Sequence, residues 1–289
     1  MPTPKSLLIT GASTGIGRAC ALHMAVLGWR VFAGVRRESD AASLLKDAPG
    51  YPIPDRLIPV NLDVTHPDSV TEAARLLGEA VGEAGLDGLV NNAGIAIAGP
   101  LEFIALPDLR QQLEVNLTGQ VAVTQAVLPL LRQARGRIVN ISSVSGLLAA
   151  PYFAPYSASK FALEAFSDSL RVELRPWGIR VMVVEPGSIA TPIWEKSLAE
   201  AEERLAAMPP AAERLYGPAF PILRQFAKFS AQHGLPAEQV ARVVAEALTV
   251  RNPRARYLIP KNRGYLIALI RLLPVGLRDR LLARQFGSE

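Results

Sequence analysis

Short apolar runs alternate with longer segments of helical period through residue 185. The runs at 6–10, 30–35, 56–61, 88–91, 137–141 and 180–184 are rich in Val, Ile and Leu. Continuous apolar runs of this length predict strands covered on both faces. Between them, the patterns at 16–27, 69–81, 109–133 and 156–175 predict helices. The alternation predicts a doubly wound α/β fold on a parallel sheet. After Pro186 the rhythm changes. Residues 188–234 carry no strand signal, two proline breaks (Pro209-Pro210, and Pro218 to Pro221) and an irregular supply of Met208, Tyr216, Phe220, Phe226 and Phe229. Such an insertion in a compact domain predicts a substrate lid. A helix at 237–249 and a strand at 256–259 then resume the α/β pattern, and with no repeat or linker in view residues 1–289 read as one domain.

Composition narrows the classes. Of 289 residues 49% are hydrophobic and 20% charged, which excludes wholesale disorder. The net charge of +5 is unevenly spread: residues 251–289 hold nine basic residues against Asp279 and Glu289, a net +7, which leaves the body at −2. No nucleic-acid module accompanies that charge, so no nucleic-acid partner is expected. One cysteine, Cys20, cannot form an intrachain disulfide, and His23, His66 and His233 have no metal-ligand spacing. No secretory leader pattern opens the chain and no run of 18 apolar residues occurs, so a cytoplasmic location is expected.

The first strand runs into Thr10-Gly11-Ala12-Ser13-Thr14-Gly15-Ile16-Gly17, where a helix opens. Glycines at such a junction let backbone N–H groups approach a pyrophosphate whose charge the helix N-terminus favours. The second strand ends in Val35-Arg36-Arg37 without the carboxylate that would bond a ribose 2′-hydroxyl. A guanidinium at Arg36, with the Ser13 hydroxyl, fits a 2′-phosphate, which favours NADP over NAD. The alternative for Arg36 and Arg37 is a solvated loop start. Asp63, beside Val64 after the third strand, suits an adenine amino group or, alternatively, an N-terminal cap or turn residue for the next helix. Asn91, Asn92, Ala93 and Gly94 follow the fourth strand, again at a carboxyl end where open α/β sheets bind ligands.

Tyr156-Ser157-Ala158-Ser159-Lys160 places Tyr and Lys one helical turn apart on a shared face. Bringing a tyrosine from about 10 to about 7 requires roughly 4 kcal/mol of differential stabilisation. The Lys160 ammonium and an oxidised nicotinamide ring both push Tyr156 that way, making it an acid/base near neutral pH. Ser143, thirteen residues earlier at a strand end, has a hydroxyl suited to holding a substrate oxygen.

In this order the motifs resemble the short-chain dehydrogenase/reductase family over roughly 5–248. The stretch Val31-Phe32-Ala33-Gly34-Val35-Arg36, the long lid and the C-terminal extension resemble the branch containing hydroxysteroid and retinol dehydrogenases. The resemblance implies a single-domain Rossmann fold with a seven-stranded sheet, hydride transfer involving a nicotinamide, and homo-dimers or tetramers. It implies Tyr156 as acid/base, Lys160 lowering its pKa and binding the nicotinamide ribose, and Ser143 positioning the substrate oxygen. Asn116 is implied to hold a relay water, the backbone at Pro186, Gly187 and Ile189 to meet the nicotinamide carboxamide, and Thr191 to reach its amide or the phosphate. The branch implies a hydrophobic alcohol or ketone as substrate, enclosed by lid aromatics with Tyr152 and Phe153. An NAD-dependent dehydrogenase of a smaller hydroxy compound, and a noncatalytic NADP-binding sensor, are the alternatives.

The extension 261–289 has apolar stretches at 265–273 and 277–286, broken by Pro274 and Gly276. Leu277, Leu281 and Leu282 recur at helical spacing among Arg278, Arg280 and Arg284, a basic amphipathic pattern. Two outcomes are open: peripheral attachment to an anionic membrane, or packing over the substrate cleft or a subunit interface.

Overall fold

The computed structural model describes residues 4–47 and 56–285. Its strands are β1 (Ser6–Ile9), β2 (Arg30–Val35), β3 (Leu57–Asn61), β4 (Gly88–Asn91), β5 (Arg137–Ile141), β6 (Arg180–Pro186), β7 (Ile189–Ala190), β8 (Leu235–Pro236) and β9 (Arg256–Ile259). Seven of them pair parallel in the order β3-β2-β1-β4-β5-β6-β9, while β7 and β8 form a separate two-stranded clasp. The order reverses direction at β1 and β4, so their carboxyl ends leave the crevice in which such sheets take ligands.

Period-two alternation explains why continuous apolar runs were needed. Leu7 and Ile9 of β1 enter one core with Val31, Val90 and Val139, which meets Cys20 and Met24 of α1 (Gly15–Val26). Val240, Val244 and Leu248 of the later helix Ala237–Thr249 join that core. Leu8 points to the opposite core with Phe32, Leu89 and Ile138. That second face is covered by α3 (Pro67–Val81), which follows α2 (Glu38–Asp47), and by the later helix Gly119–Ala134. Cys20 is fully buried, and burial pushes its thiol up to about 12. It is an inert core residue.

The span expected as one helix at 109–133 is divided. Here α4 (Leu106–Leu113) passes through a π-helical turn, Glu114–Thr118, into α5 (Gly119–Ala134). A side-chain Cβ at Gly119 would lie 2.6 Å from the Val64 carbonyl oxygen, and Asn116 is tied to neighbouring elements. Those tertiary contacts, invisible to periodicity, hold the wide turn. The next helix, α6 (Ala154–Glu173), carries the Tyr-Lys pair.

The lid is α7 (Pro192–Ala207), α8 (Pro210–Tyr216) and α9 (Ala219–His233), interrupted near the expected prolines. Its base is closed by the β7–β8 clasp, and two-residue strands are too short to leave a period-two signal. After α10 (Ala237–Thr249) and β9, the extension folds as α11 (Arg263–Leu272) and α12 (Val275–Gln285), separated at Pro274. Phe286 and the rest of 286–289 lie outside the described residues. Among the described residues no helix is long and apolar enough to cross a membrane.

Candidate active site

The carboxyl ends of the central strands open into a cavity of about 770 Å³, within the roughly 300–1,000 Å³ of ligand pockets. At one end lie Gly11, Ser13, Thr14, Gly15 and Ile16; at the other, Ser143, Tyr156 and Lys160. Gly11 and Gly15 have φ of 65° and 54°, the left-handed region that glycine adopts without strain. Thr14 caps α1 without a side-chain hydrogen bond, and no acid occupies the first turn. The amides there retain their capacity for an anion.

Gly17 does not line the cavity. A Cβ on it would lie 2.2 Å from the Gly11 carbonyl oxygen and 2.4 Å from Asn92 Nδ2, so its role is close packing of the turn. Asn91 also departs from expectation. Its side chain is buried and donates to Thr124 Oγ1 and Asn140 Oδ1, both at 2.9 Å. Strand alternation therefore gives Asn91 to the core, while Asn92, Ala93 and Gly94 face the cavity.

Arg36 is exposed at the cavity rim beyond β2, with Arg37 beside it. Asp63 and Val64 line the same end. Asp63 Oδ1 accepts from the Thr65 amide at 2.9 Å and the Thr65 hydroxyl at 2.7 Å. Burial pushes this carboxyl up, but those two hydrogen bonds, with Arg36 and His66 nearby, hold it below its ordinary value. One oxygen thus serves the turn before α3, whose N-cap residue is His66, so Asp63 is a turn residue and not the helix cap. Donors from the glycine turn, the Arg36 cation and this acceptor are the polar set that a phosphorylated dinucleotide needs.

At the other end, Ser143 caps the short turn Val144–Gly146 by accepting from the Ser145 amide at 3.1 Å, and its hydroxyl donates to the Pro186 carbonyl at 3.4 Å. Lys160 is buried and donates to the Ile141 carbonyl at 2.9 Å, with its ammonium 5.8 Å from the Tyr156 ring centre. Burial lowers its pKa to about 8, opposed by the charge of Glu164. In the protein alone, enclosure raises the pKa of Tyr156, and the Ser143 hydroxyl offsets this only in part. Desolvation penalises the phenolate, and the expected lowering draws on an oxidised nicotinamide ring beside it.

Asn116 is fully buried and does not line the cavity. Its Oδ1 accepts from the Ile95 amide at 2.9 Å, while Nδ2 donates to the Ile95 carbonyl at 3.0 Å and Ser159 Oγ at 3.1 Å. Both polar ends are engaged in bracing α6 against the segment following β4. Pro186, Gly187, Ile189 and Thr191 all line the cavity that Tyr156 also lines.

Several contributors escaped the sequence reading. Thr10 Oγ1 accepts from the amides of Asn92 and Ala93, each at 2.9 Å, and donates to Gln120 at 3.2 Å, locking the β1 and β4 ends together. Trp194, not anticipated, joins the expected Phe153 and Phe226 in an edge-to-face series in which Phe226 lies 5.6 Å from each of the other two ring centres. Its members line the cavity from three separate elements, and Phe153 and Trp194 also border an adjoining apolar space of about 40 Å³. Ile267 of α11 and Leu282 of α12 close the cavity from the extension. A Trp among polar lid residues was the available signal for Trp194; nothing local marked Ile267.

The short chain dehydrogenase family model matches residues 5–202. The chain is 42% identical to retinol dehydrogenase 5 of Homo sapiens over 286 residues, covering 96% of this chain and 87% of that protein. It is 37% identical to 17-beta-hydroxysteroid dehydrogenase type 6 of Bos taurus over 295 residues, covering 98% and 89%. A short chain dehydrogenase from Burkholderia cenocepacia J2315, solved in complex with NADP, superposes with a TM-score of 0.72 at 25% identity, covering 96% of this chain and 98% of that one.

Proposed function

This chain belongs to the short chain dehydrogenase family, and on that premise we propose that it transfers hydride between NADP(H) and the carbonyl or alcohol group of a hydrophobic, lipid-like substrate such as a steroid or retinoid. The observation carrying the reading is one cavity holding an open helix N-terminus and Arg36 at one end, and Ser143, Tyr156 and Lys160 at the other. NAD is the second cofactor to compare.

Gly11, Ser13, Thr14, Gly15 and Ile16 would hold the pyrophosphate and Arg36 the 2′-phosphate. Asp63 and Val64 would meet the adenine, and Pro186, Gly187, Ile189 and Thr191 the nicotinamide end. When bound, NADPH supplies the hydride. In reduction, Tyr156 donates its phenolic proton to the substrate carbonyl oxygen, which Ser143 holds in place. The Lys160 ammonium stabilises the phenolate left behind. A raised Tyr156 keeps the phenol protonated at neutral pH, which suits the acid of a reduction. Asn116 acts as a positioning residue for this end of α6.

Phe153, Trp194, Phe226, Ile267 and Leu282 supply the apolar walls for the substrate body. The extension also presents an outer surface: Leu269, Leu272 and Val275 are 60%, 82% and 62% exposed, and Arg271 and Arg280 are exposed as well. This surface supports peripheral attachment to an anionic lipid surface, with the inner face packed over the cleft.

The test is NADPH oxidation with steroid, retinoid and aliphatic carbonyls. Turnover of at least one class is expected, and Tyr156→Phe loses about 10²–10⁴-fold in kcat while still binding NADPH by fluorescence titration. Substantial residual activity in that variant overturns the assignment.

A further inference from the structure

A group of charged side chains lies beneath the catalytic turn of α6, outside the cavity. Glu164 stands one turn beyond Lys160 on the same helix face and is 6% exposed. Glu185, on β6 immediately before Pro186, is 2% exposed. Arg256, from the sheet-edge strand β9, binds both: its Nη1 donates to Glu164 Oε2 and, at 2.7 Å, to Glu185 Oε1. Its Nη2 donates to the two Asp168 oxygens at 2.9 and 2.8 Å, and Arg171 shares Asp168. Arg271 of α11 adds a more distant positive charge facing Glu185.

Charge counting gives this group a purpose beyond stability. Two deeply buried carboxylates share one guanidinium, and the more exposed Asp168 has Arg171 as well. The buried set Glu164, Glu185 and Arg256 is therefore one positive charge short, and the further cations acting on it are Lys160, one helical turn before Glu164, and the more distant Arg271 beside Glu185. Glu164 Oε1 is buried without a hydrogen-bond partner among the described residues. The fit at this turn is close: a Cβ on Gly146 would lie 3.1 Å from both Glu164 Cγ and the Lys160 carbonyl oxygen. A buried ion pair alone is weak evidence for stabilisation. This one instead joins the helix bearing Tyr156 and Lys160 to the strand end bearing Pro186.

We propose that Glu164, held in place by Arg256, is a positioning residue that keeps Lys160 in its ammonium form for proton transfer at Tyr156. The proposal rests on the role given to Lys160 under the proposed function. Burial lowers the Lys160 pKa to about 8 even with Glu164 opposing it, so loss of that carboxylate lets the ammonium deprotonate at lower pH.

Glu164→Gln keeps the shape and an acceptor for Arg256 while removing the charge. Two measurements apply: the pH profile of kcat/KM for NADPH-dependent reduction, and titration of the Lys160 Cε resonance in carbon-13 lysine-labelled protein, assigned with Lys160→Ala. Both are expected to move down by about one pH unit in Glu164→Gln. Glu164→Asp is expected to restore most of the shift. Glu185→Gln, which removes an equally buried charge, is expected to lower Tm without moving either curve. Unchanged curves in Glu164→Gln, or an equal movement in Glu185→Gln, overturn the proposal. A moved lysine resonance with an unmoved rate profile overturns the role assigned to Lys160 and leaves its coupling to Glu164 intact.

Discussion

The two ends of the cavity are built by different means. The cofactor end is made of backbone: strand ends β1, β2 and β4, glycines at positive φ, and Thr10 locking Asn92 and Ala93 by hydrogen bonds of 2.9 Å. The substrate end is made of side chains: Phe153, Trp194 and Phe226 from separate elements, with Ile267 and Leu282 added by the extension. A backbone site is fixed by sheet register and fails abruptly when an atom is inserted. A side-chain wall is fixed by packing and changes by degrees. That difference separates what the protein must keep from what it can vary.

The sharpest challenge to this contrast is Gly17→Val. With 2.2 Å between the new Cβ and the Gly11 carbonyl oxygen, the turn must open. Overpacking costs about 1–3 kcal/mol, so Tm falls and NADPH binding is expected to be lost; retained affinity would show that the turn is adaptable. Arg36→Ala should leave the turn intact and reduce the NADP over NAD ratio of kcat/KM by about 10–100-fold. An unchanged ratio would remove Arg36 from the phosphate site.

Protonation gives the next effect. As pH rises through about 8, Lys160 loses its charge. The reduction kcat/KM should therefore fall on the alkaline side, by about tenfold at pH 9; a flat limb would mean that the ammonium is unused. At the substrate end, Trp194→Ala removes one ring contact with Phe226 and the hydrogen bond from Nε1 to the Ile189 carbonyl. A rise of about 3- to 10-fold in KM for bulky apolar substrates is expected, with little change in NADPH affinity. Equal loss of both would make the two ends one unit. The smallest kinetic effect belongs to Leu272→Ser with Leu277→Ser, which should leave kcat on a water-soluble carbonyl unchanged. Flotation with anionic vesicles should weaken; undiminished flotation, or none in the wild type, rejects the lipid surface.

Much of the catalytic end was legible because its residues sit at fixed offsets from strand ends. Arg30–Val35, Gly88–Asn91, Arg137–Ile141 and Arg256–Ile259 have the boundaries that their apolar runs predict. Tyr156 and Lys160 share a helix face because four residues make about one turn. The failures share a cause too. Asn91 turned inward, and Gly17 packed the turn instead of lining the cavity, each through neighbours distant in sequence.

The extension shows both limits in one segment. Its basic amphipathic spacing was plain, yet which face met the protein was decided by Ile267 and Leu282 reaching the cavity while Leu269 and Leu272 stayed outside. The sequence by itself determined the parallel sheet, the glycine turn and the Tyr-Lys spacing, because local periodicity and backbone sterics govern those. Only the tertiary structure decided the aromatic wall, the Glu164–Arg256–Glu185 cluster and the seating of the extension. Burial and charge pairing depend on which surfaces meet, and no local pattern encodes that.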